Sequence, residues 1–396
     1  MLRWLDQTIA VLAVGIRTIP QRLSSSAVAI VGIAGVVVVL VSVLSISEGF
    51  QKTVVGAGSP SRIIVMRNGS ESEMTSGLLG TETDIVKQAP GLAMSGSRPV
   101  AAAEMFVIVD LPKRSTGTPA NVPLRGIEAE SFQVRDEVKI VEGRLPQFGT
   151  NEDVVGRAAV REFKGVDLGS DFHSGNLNLK IVGVFTANGS ASEGEIWADV
   201  KIIQGAYNRG NSYQAVFAKL DSVASFDTVK NWLTTNPQLN VVAKRENDYY
   251  AAQTEVMSGL INGIGFVIAF LMAIGAVFSA LLTMYSAVAT RSREIATLRA
   301  LGFNTMSVLV SVLGESMVLA TFGGAIGALI AYIGFNGYQT ATMNFQTFSQ
   351  VAFAFAVTPR LVIGGLVGAL LMGFVGGFFP AVRAARLPIS SALRQL

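Results

Sequence analysis

The 396-residue sequence contains no cysteine and a single histidine. The first absence excludes disulfides and thiolate metal sites; the second removes His-based triads and histidine metal clusters. His173 lies in a turn-like stretch, DFHSGN, and reads as structural or solvated. Charge is scarce as well. Only 15% of residues are charged, half are hydrophobic, and the mean hydropathy is +0.47, too apolar for an ordinary soluble protein. No G-x-x-x-x-G-K-[ST] occurs, so this sequence cannot bind ATP through a P-loop.

The scarcity is uneven. Between Glu48 and Glu255 lie 21 of the 31 Lys and Arg and 25 of the 28 Asp and Glu, leaving ten basic residues and three acids elsewhere. The net charge of +3 therefore reflects basic residues beside apolar segments, a topology signal rather than a nucleic-acid surface. The pattern predicts an α-helical membrane protein with four transmembrane helices and an α+β extracytoplasmic domain inserted between the first and second.

A membrane helix needs about 20 apolar residues to cross about 30 Å of hydrocarbon. Ala27–Ile46 supplies such a run without a charge, Ser307–Phe335 a third and Leu361–Phe379 a fourth. The second, Val256–Thr290, is uncharged for 35 residues, about 50 Å as a helix, so part of it projects as a stalk. The first run is longer than a signal-peptide core and no A-x-A-like site follows it, which reads as a retained anchor. Arg3, Arg17 and Arg22 precede the first span; Arg291, Arg293 and Arg299 separate the second and third; Arg383, Arg386 and Arg394 follow the fourth. Asn336–Pro359 has no Lys or Arg. The positive-inside rule then places both termini in the cytoplasm and the insert outside.

Glycines recur at helix-packing spacing: Gly259 with Gly263, Gly323 with Gly327, Gly364 with Gly368, and Gly373 with Gly377. Such pairs suit packing within one bundle or a dimer interface. Glu315 lies about eight residues into the third span. An intramembrane carboxylate costs on the order of 3 kcal/mol, so it needs a partner. A structural bond to backbone or a basic neighbour is favoured over proton or substrate handling.

In the insert, RIIVMR, EMFVIVDL, NVPLRGI, NLKIVGVF, YQAVFAKL and NVVAK suit strands, and Ser222–Pro237 suits a helix with Val223, Phe226, Val229 and Leu233 on one stripe. The carboxylates of NEDVV and EGEIWAD are expected to be solvated. No catalytic constellation is evident, and no enzyme activity is expected on this chain.

The charged run ATRSREIATLRALGF, Ala289–Phe303, interrupts the apolar half. As a helix it places Ile295, Leu298 and Leu301 on a stripe, with Arg291 and Glu294 paired at i,i+3 and Arg293 opposite. An apolar ridge in a charged fringe suits docking into a protein groove.

RSREIATLRALGF resembles the R-x-REI-x-x-LRALG run of the FtsX/MacB-type ABC transporter permease family. VLGESMVLATFGGAIGALIAYIGF is similar to that family's third span, and FFPAVRAARLPISSALRQL to its ending. LRGIEAESF, VEGRLP and KIVGVF echo its periplasmic domain. The resemblance implies a cytoplasmic N-terminal helix and first span at 1–48, a MacB-like α+β periplasmic domain at 49–255, and a stalk with the second span at 256–290. A cytoplasmic coupling helix at 291–304, an FtsX-like pair of spans at 305–382 and a cytoplasmic tail at 383–396 complete the chain. It further implies a permease in the bacterial inner membrane that drives its periplasmic domain by mechanotransmission, for export, efflux or lipoprotein release. The alternative is a transducer that activates a periplasmic cell-wall hydrolase or a sensor system.

By the same resemblance two copies of a cytoplasmic ABC ATPase, which bind the ATP and Mg, dock on Arg291, Arg293, Glu294, Ile295, Leu298 and Arg299, with Arg383 and Arg386 nearby. No cofactor or metal is expected on this chain. Only about 25 residues precede the first span, so the ATPase is expected on a separate chain. The permease is expected to pair with itself or with a paralogous permease. A periplasmic adaptor (membrane fusion protein) and an outer-membrane channel are further expected partners, and nucleic acid is not.

Overall fold

Each of the four apolar runs becomes a long helix in the computed structural model, which describes residues 8–9, 12–13, 15, 17, 23–174, 176–344 and 349–388. Arg3, Arg22 and Arg394 lie outside them. Among the described residues, six helices have nine residues or more: α1 (Leu23–Val55), α2 (Phe226–Thr235), α3 (Glu246–Thr290), α4 (Ser292–Ala300), α5 (Thr305–Phe335) and α6 (Pro359–Ala385). Of these, α1, α3, α5 and α6 are long and apolar enough to cross a membrane. Two are longer than their uncharged cores. α1 continues past Ile46 through Glu48 and Lys52. α3 begins ten residues before Val256, with Glu246 and Asp248 in its first turn, where acids complement the helix dipole.

The chain divides into two compact units: a helical one (Met1–Glu48, Leu260–Tyr338, Phe355–Leu396) and a sheet one (Gly49–Gly259, Gln339–Ala354). In the helical unit, contact is made through small residues. A Cβ at Gly323 would meet the Ile30 carbonyl oxygen at 2.9 Å, and one at Gly327 the Ala34 carbonyl oxygen at 2.6 Å, so α5 lies directly on the α1 backbone. Gly373 and Gly377 seat α6 on Ala320 and Ser316 of α5, and Gly376 faces Ala280 of α3. Without a Cβ the axes close until van der Waals contact supplies the attraction.

The expectation that Gly364 and Gly368 pack helices together is corrected within this chain. Gly364 is exposed, and a Cβ there would meet no atom within 4 Å. Gly368 is half-buried, yet a Cβ on Gly368 would also meet no atom within 4 Å, so Gly368 is not a close-packing site either. The physical reason is helical phase. Gly365, one position on from Gly364, points at α1 and packs against Val37 and Val41, and Ala369, one on from Gly368, lies against Gly324 of α5. The four-residue spacing was right and its face was displaced by one residue, about 100° around α6. Gly259 and Gly263 are equally open.

The sheet unit is built on β1 (Arg62–Arg67), β2 (Ala101–Pro112), β3 (Pro119–Ile127), β4 (Lys139–Gly143), β5 (Glu152–Gly156), β6 (Asp171–Ser174), β7 (Leu177–Thr186), β8 (Ile196–Asp199), β9 (Ala215–Lys219) and β10 (Val241–Arg245). They form one mixed sheet in the order β10-β1-β9-β2-β3-β8-β5-β7-β4, with β6 on β7. β3–β8 and β5–β7 are parallel and the other pairs antiparallel. All six expected strands are present. His173 sits in β6, exposed, rather than in a turn. The expected helix opens with a 3-10 turn at Val223–Ser225, and α2 buries Val229 and Leu233 while Val223 stays exposed. Two further strands of the unit were not expected. β11 (Gln339–Met343) and β12 (Gln350–Ala354) form a hairpin from the segment between α5 and α6. Phe353 of that hairpin meets Phe50 edge-on at 5.6 Å, and Asn344 donates to Gln253 at 3.1 Å.

Candidate coupling segment and buried ion network

The charged run folds as α4, bounded by local chemistry at each end. Gly302 adopts φ +95°, where Phe303 N–H reaches the Leu298 carbonyl at 3.1 Å and Gly302 N–H the Arg299 carbonyl at 3.1 Å. Glycine enters this left-handed conformation without steric cost and closes the helix. Two residues on, the Asn304 side chain accepts from Met306 N–H at 3.2 Å and starts α5.

On α4, Arg291 Nε donates to Glu294 at 2.9 Å, as the i,i+3 spacing predicts. Its Nη1 reaches Glu315, 3.3 Å away and buried in α5, so Arg291 is the basic neighbour Glu315 requires. The apolar stripe does not face outward as a unit. Ile295 is buried with Val288, Val308, Val312, Ala381 and Ala384, and Leu298 is half-buried. Leu301 is 74% exposed. The expectation of Ile295 on a docking ridge is therefore corrected: its side chain fills the core of its own unit. The exposed face carries Arg293, Glu294, Thr297, Ala300 and Leu301. Arg299 donates to the Leu387 carbonyl, Arg383 lies over the Tyr285 ring at 5.4 Å, and Arg386 is exposed just past α6.

The sheet unit holds a cluster that the sequence reading missed. Arg125 of β3 pairs with Glu73 at 2.6 Å, Glu195 at 2.8 Å and Glu104 of β2 at 3.1 Å. Arg135 clasps Glu104 with two bonds, 2.5 and 2.9 Å, and lies 4.1 Å over the Phe217 ring. Arg62 of β1 pairs with Glu246, the first residue of α3, and with Glu137 at 2.5 Å. All except Glu137 are buried. Burial alone would raise Glu104; the charges of Arg135 and Arg125 outweigh it and hold that carboxyl below its ordinary range. Glu73 goes the other way, because burial outweighs its single arginine. The available signal was a charge inside an apolar strand, Glu104 within AAAEMFVIV and Arg125 within LRGI.

Apart from half-buried Glu152, which pairs with Arg144, the acids of NEDVV and EGEIWAD are buried rather than solvated as expected. NEDVV runs into β5, and EGEIWAD begins in a 3-10 turn (Ala191–Gly194) and ends as β8, both strands inside the sheet. Glu193 accepts from Ala187 and Gly189 N–H, each at 2.8 Å, and Asp199 from Lys201 N–H at 2.8 Å. Asp153 is fully buried between β7 and β8, and neither carboxylate oxygen has a hydrogen-bond partner among the described residues. Burial pushes its carboxyl up to about 7.

Four long apolar helices carrying a large sheet domain define a polytopic membrane protein with a sizeable extramembrane unit. Residues 26–236 match the MacB-like periplasmic core domain family, and residues 266–389 the FtsX-like permease C-terminal family. The chain thus belongs to the MacB/FtsX-like family of ABC transporter permeases, whose membrane subunits are generally non-catalytic. It is 24% identical over 389 residues to a macrolide export ATP-binding/permease protein MacB 1/2 of Paracoccus denitrificans, covering 92% of this chain and 55% of that protein. A MacB of Nitrobacter winogradskyi is 39% identical over 112 residues, covering 28% of this chain and 16% of that protein. The chain spans about half the length of the relatives it matches end to end. The crystal structure of the periplasmic region of MacB from Actinobacillus actinomycetemcomitans is similar over 49% of this chain and 92% of that one, at 12% identity and a TM-score of 0.37.

Proposed function

We propose that this chain is the membrane subunit that converts ATP hydrolysis by a cytoplasmic ABC ATPase into movement of its periplasmic sheet unit, for export or lipoprotein release. The observation that carries this reading is the length of α3. At about 1.5 Å per residue its 45 residues extend roughly 68 Å, more than twice the hydrocarbon core. It is one uninterrupted helix from Glu246, inside the ion network, to Thr290, two residues before α4. A rigid rod of that length suits a lever better than a membrane anchor alone.

The ATPase docks on the exposed face of α4 at Arg293, Glu294 and Leu301, with Arg383 and Arg386 beside it. Arg291, Ile295, Leu298 and Arg299 act behind that face, by holding α4 on the bundle. Glu315 has a structural role, fixing Arg291. Nucleotide and Mg belong to the ATPase. In the inner membrane both termini lie on the cytoplasmic side. Grouping of the α5–α6 hairpin with the sheet unit supports this orientation, since the insert and that loop then lie on one side.

A dimer, of two identical copies or with a paralogous permease, is supported by α3. Val256, Leu260, Ile264, Val267, Leu271, Ile274, Phe278 and Leu282 follow at steps of three and four, all exposed. The part of this seam beyond the bilayer requires cover. The names of the relatives make a macrolide the first substrate to test; an adaptor and an outer-membrane channel are further partners of the export reading.

Co-purification tests the reading. The partner ABC ATPase, once found, should be retained by the wild-type permease in detergent, and lost on the double charge reversal Arg293→Glu with Glu294→Arg. Retention by the reversed variant would refute docking on α4. A cell-wall hydrolase or sensor kinase recovered instead of an adaptor would favour the transducer reading over export.

A further inference from the structure

The ion network has an asymmetry that stability alone does not explain. Arg62 opens β1, and its guanidinium donates in three directions within the sheet unit. Nη2 reaches the Ala57 carbonyl at 2.8 Å, two residues beyond α1. Nε reaches the carboxylate of Glu246, the first residue of α3. Nη1 reaches Glu137 at 2.5 Å and the Val134 carbonyl at 3.4 Å. The same Glu246 oxygen accepts from Ser59 N–H at 3.1 Å, and the other lies 3.9 Å from Arg135. A Cβ on Gly58 would fall 2.8 Å from the Asn247 backbone, so the chain leaving α1 is pressed against the first turn of α3. The contact continues along one face of α3. The Tyr249 hydroxyl accepts from Glu73 N–H at 3.1 Å, and Gln253 holds Asn344 of the hairpin.

We propose that Arg62 is a positioning residue that binds the end of α1, the start of α3 and the sheet into one rigid body, so that rotation of the long helices is delivered to the sheet without slippage. The role rests on the mechanotransmission reading above. β10 ends at Arg245 and α3 begins at Glu246, so a single backbone junction joins strand to helix. A lone junction pivots about its own torsions, whereas side-chain bonds from the helix's first residue remove that freedom. Apolar contacts of equal area would hold the helix but let it slide. Buried ion pairs contribute little net stability relative to such contacts, and the planar guanidinium fork supplies direction instead.

The absence of cysteine in the chain makes the test direct. Spin labels at Thr228→Cys on α2 and Glu255→Cys on α3, both exposed, report the helix-to-sheet distance in the full-length protein. The wild type should give one narrow distribution. Arg62→Lys, which keeps the charge and loses the fork, should widen it at least twofold. Because breaking a buried pair can unfold the unit, the paired apolar replacement Arg62→Met with Glu246→Leu is the second arm; it should melt within a few degrees of wild type and still show the wide distribution. A folded double variant as narrow as wild type overturns the proposal. In nanodiscs with the ATPase, a single label at Thr228 in each copy then reads ATP-driven displacement of the sheet units. Displacement in the wild type that is reduced at least twofold in the double variant supports the tie. No displacement in the wild type refutes mechanotransmission while leaving the first measurement to decide the joint.

Discussion

The two units of this chain hold themselves together by opposite means. The sheet unit buries three arginines and four glutamates in one connected network, with directional bonds between elements far apart in sequence. The helical unit has glycine, alanine and serine at its closest contacts, and the ion pairs of Arg291 with Glu294 and Glu315 lie at its α4 end. Ion pairs fix angles as well as distances; Gly-on-backbone contacts fix distance and leave rotation and sliding cheap. On the proposed lever reading, the first suits a unit that keeps its shape while it is moved, and the second suits helices that shift past one another.

Substitutions can break this contrast, beginning with the most severe. Arg125→Ala strands Glu73 and Glu195 without their cation and should destabilise the sheet unit by about 3–5 kcal/mol, read as a large fall in melting temperature. Asp153→Asn should do the reverse, and by an amount that depends on pH. The folded unit favours the neutral acid, with a pKa of about 7 against an unfolded value near 4. The Asp153 contribution to stability is therefore fully present below about pH 4 and is lost as pH rises to about 7. Asn does not titrate, so its advantage should grow over that window to at most about 4 kcal/mol and then level off. Equal gains at pH 4 and pH 8 would show that the Asp153 charge is not the source.

In the helical unit the expected effects are smaller and sterically graded. Gly327→Leu drives a side chain into the Ala34 backbone and should cost about 1–3 kcal/mol in detergent unfolding. Gly364→Ala and Gly368→Ala both face open space; each should stay within about 0.5 kcal/mol of wild type, or gain slightly from helix propensity. If either instead lowers the fraction of dimer in crosslinking, that face belongs to the interface between copies and its tolerance within one chain is irrelevant.

The apolar architecture was legible because its signal is local: run length gave the four spans. The full lengths of α1 and α3 were not, since Glu48 and Glu255 ended the uncharged runs while the backbone stayed helical. The ion network was invisible for a different reason. Arg62 and Glu246 are 184 residues apart, and Arg125 and Glu195 are 70 apart, so no spacing rule links them. NEDVV and EGEIWAD misled because composition records acids but not that their strands lie inside a sheet. On α4 the periodicity was right and its direction wrong: Ile295 faces the bundle, a choice made by Val308 and Ala384 rather than by the helix itself. Gly364 and Gly368 missed the packing face within the chain in the same way, because the small-residue pairs Gly364/Gly368 and Gly365/Ala369 look alike until a neighbouring helix selects one.

The hairpin at Gln339–Ala354 has a consequence for how the protein is made. The sheet unit takes its last piece from a segment that leaves the ribosome only after residues 260–338. At about 5–20 residues per second, that interval is on the order of 4–16 seconds. Through it, Phe50 and Gln253 await Phe353 and Asn344. Completion of the sheet unit thus follows synthesis of α5, so a nascent chain arrested before that point would expose an incomplete domain to proteases and chaperones.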